Sequence, residues 1–171
     1  MANITVSAPE ASQAGSIVYS ETVGLGWQHS SWSNVTTNLA SPNAYTGQNG
    51  IEVQTFAQWG RLHLLAQSGF VFNTAGYDTL SFVLNIGKDE SEDLYIGLID
   101  LNGNVIQYRA LNDVAYVEYG AFPKYEWRYV RIPLLDLGGM NRNVYGIEIQ
   151  SINPATFHVD VVKFEQNGGC Q

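Results

Sequence analysis

Cysteine is nearly missing from this sequence: among 171 residues there is one, Cys170, next to the last position. That excludes an internal disulfide framework and a cysteine-built zinc cage. Basic side chains are also scarce. With 8 Lys and Arg against 16 Asp and Glu the net charge is −8, and a field of that sign repels phosphate backbones, whose capture needs clustered cations. Nucleic acid and anionic membrane surfaces are therefore poor partners. No run of 18 apolar residues occurs, so no segment reads as a spanning helix and no membrane insertion is expected. Helical periodicity is missing from end to end. Charged residues make up only 14% of the chain, against about 25% in ordinary globular proteins.

What fills the deficit is neutral and polar. Asn, Ser, Thr and Gln accompany 10 Tyr and 17 Gly, a surface better suited to hydroxyl-bearing ligands than to polyanions. Length favours one domain, read as residues 16–165. Residues 1–15 read as an extension or edge strand and 166–171 as a flexible tail, in which Cys170 has no expected role. The start, Met1-Ala2-Asn3-Ile4-Thr5, carries no basic region followed by an apolar stretch, so no signal peptide is read in this chain. Asn3-Ile4-Thr5 and Asn34-Val35-Thr36 match the glycosylation sequon, a pattern common by chance.

Short stretches that alternate apolar and polar residues, broken by Gly, Asn, Pro and Ser, predict an all-β domain of about ten strands in two packed antiparallel sheets. The clearest are 16–21, 32–39, 50–56, 61–65, 79–86, 94–100, 105–110, 127–132, 145–150 and 157–165. Asn102-Gly103 between two of them marks a tight hairpin, since both residues tolerate positive φ. Residues two apart share a face, which assigns Leu80, Phe82, Leu84, Leu94, Ile96, Leu98, Leu62, Leu64, Ile51, Val53, Ile147, Ile149, Val130 and Ile132 to the core. The opposite faces carry Trp32 and Asn34 on one stretch, and Trp59, Arg61 and His63 on another. Trp27, following Gly26, reads as a core plug. Residues 111–126, with Tyr116, Tyr119, Phe122 and Tyr125, form a long aromatic loop: a groove wall, a self-packed cover or a protein interface.

Six segments in this order resemble carbohydrate-binding modules of the galactose-binding-like β-sandwich type, as appended to microbial glycoside hydrolases. They are Val18-Tyr19-Ser20-Glu21 followed by Gly26-Trp27-Gln28-His29-Ser30-Ser31-Trp32; Asn38-Leu39-Ala40-Ser41 leading to Tyr45-Thr46-Gly47; Trp59-Gly60-Arg61-Leu62-His63-Leu64; Gly76-Tyr77-Asp78-Thr79-Leu80-Ser81-Phe82; Glu126-Trp127-Arg128-Tyr129-Val130-Arg131-Ile132-Pro133-Leu134; and Phe157-His158-Val159-Asp160-Val161-Val162. The resemblance implies a jelly-roll sandwich, noncatalytic binding of polysaccharide or oligosaccharide, a setting outside the cell or at its surface within a larger protein, an attached catalytic domain as possible partner, and often a structural calcium ion. The calcium ligands it implies here are Glu21 and Asp160 as carboxylates, with Gly47 and Asn49 supplying backbone or amide oxygens. The chain departs from the pattern by having Ser20-Glu21 where paired Asp are usual, and one Asp in the last strand.

A pyranose presents apolar C–H faces and a rim of hydroxyls, so its site needs aromatic rings beside fixed donors and acceptors. Trp32, Trp59, Arg61, His63, Asn34 and Tyr108 supply that mixture and are the expected carbohydrate contacts. No catalytic residue is expected. A glycosidase needs two carboxylates flanking the scissile bond, and no motif joins Glu52, Glu118, Glu126 or Glu148 into such a pair. The acidic run Asp89-Glu90-Ser91-Glu92-Asp93 reads as a solvated hairpin. Two alternatives stand beside this reading: an adhesive, lectin-like protein making homo-oligomer or protein contacts, and a jelly-roll polysaccharide lyase using Arg61, His63 and Tyr108.

Overall fold

The computed structural model describes residues 10–31, 34–87 and 94–166. They form a sandwich of two antiparallel sheets. The first has five strands, in the order β11 (Val105–Ala110), β10 (Leu94–Ile99), β14 (Gly146–Ser151), β7 (Gly60–Ala66) and β4 (Trp27–Ser31). The second runs β12 (Trp127–Pro133), β9 (Thr79–Asn85), β15 (Thr156–Glu165), β2 (Ile17–Ser20) and β3 (Thr22–Val23). The N-terminal half of β15 also pairs with β6 (Gly50–Thr55), which pairs with β5 (Val35–Ser41). A small third sheet joins β1 (Ser12–Gln13), β8 (Phe70–Asn73) and β13 (Asn143–Val144) across one end, its β1–β8 pairing parallel.

The alternation that predicts the strands also fills the space between them. Every residue assigned above to the core is sealed from solvent, and each such burial is worth roughly 1.5–3 kcal/mol. Trp27 is the largest plug: it stacks on Phe164, tilts against Phe72, and donates its indole N–H to the Gly15 carbonyl at 2.7 Å. Tyr19 is equally buried and its hydroxyl donates to the Leu39 carbonyl at 2.7 Å. Burial, then the Asp160 and Glu21 carboxylates, push its pKa up to about 12, so it stays a neutral donor.

One boundary needs correction. The strand read at 32–39 is β5, Val35–Ser41, and it does not pair with the Arg61 strand, whose partners are β14 and β4. β4 belongs to the first sheet and β5 to the second. Local alternation cannot register such a change of sheet, because both strands keep a period of two. Trp32, the run 89–93, Cys170 and the Asn3 sequon lie outside the described residues. The loop 111–126 is tied down by the bridge Val117–Val130, by buried Leu111 and by the Tyr116 hydroxyl donating to Asp136 Oδ2 at 2.8 Å.

Candidate functional site

Strand register decides which polar side chains meet on the outer face of the five-stranded sheet. Two cross-strand rows follow from it: Ala110, Tyr95, Gln150 and Arg61; then Tyr108, Gly97, Glu148, His63 and Ser30. A third row, Val105, Ile99, Gly146, Leu65 and Gln28, is mostly apolar and shallow.

Glu148 is the hub. Its side chain is 2% exposed, yet it stands on an outer face because its neighbours lean over it. His63 Nε2 lies 2.6 Å from Oε2, Arg61 Nη1 lies 3.5 Å from the same oxygen, and the Tyr108 hydroxyl donates to Oε1. Burial pushes the Glu148 carboxyl up, but the bonds from His63 and Tyr108 and the Arg61 charge outweigh it and hold it below the ordinary carboxylate range. Burial and Glu148 together raise the Tyr108 phenol, so it is a donor and never a base here. With its amide oxygen turned toward Arg61, Gln150 accepts from Nε at 3.0 Å and Nη2 at 3.2 Å. The guanidinium is thus braced by two side chains of β14.

Gly97 makes room for this arrangement. A Cβ at that position would sit 2.4 Å from Val105 Cγ1 and 3.4 Å from the Tyr108 ring, so glycine lets the phenol lie across β10 to reach Glu148. Trp59 precedes β7 and is 52% exposed, at φ 65. An indole on a left-handed backbone carries a strain of about 1–3 kcal/mol. Asn34 braces the same turn by donating from Nδ2 to the Gln58 carbonyl at 3.3 Å. Arg61, His63 and Tyr108, named from sequence, therefore share one face, with Trp59 and Asn34 at its end. Glu148 enters the sequence reading only as a carboxylate without a catalytic partner, and Gln150 and Tyr95 do not enter it, although Glu148 and Gln150 alternate with Ile147 and Ile149 in the strand read at 145–150.

The residues implied as calcium ligands also converge, with different chemistry. Glu21 accepts from the Gln48 and Asn49 amides at 3.0–3.1 Å, and Asp160 Oδ2 accepts from the Tyr45 and Thr46 amides at 2.9 and 3.2 Å. Asp160 Oδ1 takes the Val161 amide at 2.8 Å. Gly47 is required, since a Cβ there would lie 1.5 Å from Glu21 Oε1. Val161, at φ 49, sits at the bulge in β15 that aims Asp160 at the loop. A cation wants six to eight oxygens. Here all four carboxylate oxygens face amide protons, so the donor set does not fit a calcium ion, and the two carboxylates act as a latch on the loop 45–49.

Several solved structures share this fold at low identity. A mutant of a family 29 carbohydrate-binding module has a TM-score of 0.55 and 13% identity, over 87% of this chain and 89% of that one. The family 11 carbohydrate-binding module of a cellulosomal cellulase from Clostridium thermocellum has a TM-score of 0.54 and 16% identity, over 92% and 96%. A β-1,2-glucanase from Parabacteroides distasonis has a TM-score of 0.60 and 16% identity; 94% of this chain matches 26% of that enzyme, so the chain spans about a quarter of its length. No family model and no curated protein matches the sequence. The likeness establishes a β-sandwich fold that carbohydrate-binding modules use.

Proposed function

We propose that this protein binds glycan without catalysing a reaction, and that the contact surface is the outer face of the five-stranded sheet. The observation that carries the reading is the braced set Arg61, His63, Tyr108 and Gln150 around buried Glu148. Donors and acceptors there are fixed before any ligand arrives, beside the exposed indole of Trp59. Pre-organised polar groups with a ring for stacking suit a neutral sugar.

Chemistry is disfavoured by the same geometry. Among the described residues of that face Glu148 is the single carboxylate, so the pair a glycosidase needs is missing. A lyase needs a free base, whereas His63 and Tyr108 are both committed to Glu148. We infer an extracellular or cell-surface setting in which tethering to an enzyme or assembly turns modest affinity into useful residence. Affinity electrophoresis through gels containing neutral plant, fungal and bacterial polysaccharides tests the reading. Retardation in at least one gel, weakened in Trp59→Ala and Arg61→Ala with unchanged folding, is expected. Equal mobility in every gel would defeat it.

A further inference from the structure

The second sheet also has an outer face, and it is not bare. Register sets Trp127, Asn85, His158, Glu52 and Asn38 in one row across β12, β9, β15, β6 and β5. Over this row lies a groove of about 580 Å³, walled on one side by Tyr125 and on the other by the turn Ser41–Asn43.

From this groove we propose a second glycan-binding site, on the sheet opposite the first, that takes a neutral pyranose chain. Three independent features support it. Tyr125 is 68% exposed at φ 62, its backbone pinned by donating to the Gly87 carbonyl at 2.7 Å. An aromatic residue held in the left-handed region with its ring in solvent is the same device seen at Trp59. His158 is 9% exposed and lines the floor; Nε2 lies 3.1 Å from Glu52 Oε2, while Nδ1 has no hydrogen-bond partner among the described residues. An unpaired buried ring nitrogen under a groove is satisfied by a small turn of the ring toward a ligand hydroxyl. The lining also mixes amide, hydroxyl and carboxylate groups with a tyrosine, and among the described residues no Lys or Arg lines it. A uronate or phosphate would meet Glu52 without a counter-charge, so the ligand class is an uncharged sugar.

The proposal rests on the glycan reading of the fold but not on the first face being a site. Two sites on opposite sheets would make one domain bivalent, able to bridge two polysaccharide chains. The test is an amide-detected NMR titration of the whole protein with a β-1,3-1,4-mixed-linked glucan tetrasaccharide, a cello-oligosaccharide and a xyloglucan oligosaccharide. Expected are two separate sets of shifted resonances. One centres on Glu52, Asn85, Tyr125 and His158, and the other on His63, Gln150 and Trp59. Tyr125→Ala and Glu52→Gln should each abolish the first set and leave the second. Shifts confined to the five-stranded face would overturn the second site and keep the first. Shifts confined to the groove would uphold this site and remove the other. No shift with any of the three sugars would count against both.

Discussion

His63 Nε2 and Glu148 Oε2 stand 2.6 Å apart on adjacent strands, and that contact organises the polar face of the five-stranded sheet. Glu148→Gln keeps the volume and removes the charge that holds His63, Arg61 and Tyr108 together. The expected result is a loss of roughly 1–3 kcal/mol in urea melts and weaker sugar binding by about tenfold or more. Binding that survives unchanged would show that the hub serves packing alone.

The same carboxylate predicts an acid dependence. Its folded pKa lies below its unfolded value, so its stabilisation is complete above the ordinary carboxylate range, about 4.3, and fades as pH falls through the lower folded pKa. Glu165, also held low by Ser81, Lys163 and Arg131 against its own burial, adds to that limb. Melts in stepped buffers should therefore show wild type losing stability on acidification more steeply than Glu148→Gln. Parallel curves would assign the acid limb elsewhere.

His29 adds an earlier step. It faces the interior across from Leu64, and burial, followed by the His63 charge, lowers its pKa. The unfolded chain binds that proton first, so stability should begin to fall as pH drops below about 6.5. In His29→Gln this mild-acid component should vanish while the carboxylate limb remains.

Much of this was legible from local pattern, and the limits have physical causes. Alternation located the apolar sets and put Arg61 with His63, because side-chain direction is a property of one strand. Which strands become neighbours depends on the whole topology. The meeting of Glu148 with His63 and Tyr108, and the placing of β4 and β5 in different sheets, therefore carried no local signal. Glu21 and Asp160 both meet the loop 45–49, but whether amides or carbonyls face the carboxylates depends on peptide orientation, which side-chain sequence does not encode.

That latch yields a direct test. The melting temperature should not change on adding EDTA or excess calcium, since amide protons already fill the carboxylate oxygens. Asp160→Asn should cost roughly 1–3 kcal/mol by leaving buried amides poorly paired. A calcium-dependent rise in melting temperature would contradict the latch.

Gly97 offers a probe that alters no polar side chain. Gly97→Val should push the Tyr108 ring off Glu148 and weaken binding, with the tyrosine fluorescence of the face altered. Unaltered affinity would separate the phenol from recognition.

The most direct measurement is isothermal titration of a polysaccharide that retards the protein in affinity gels, comparing wild type with Trp59→Ala/Arg61→Ala/His63→Ala. Binding heat from wild type, reduced in the triple variant to what the Tyr125 groove alone supplies, at an intact circular-dichroism spectrum and with no new reducing ends released, is the predicted result. Equal affinity in the two proteins, or release of sugar fragments by wild type, would contradict a noncatalytic site on that sheet.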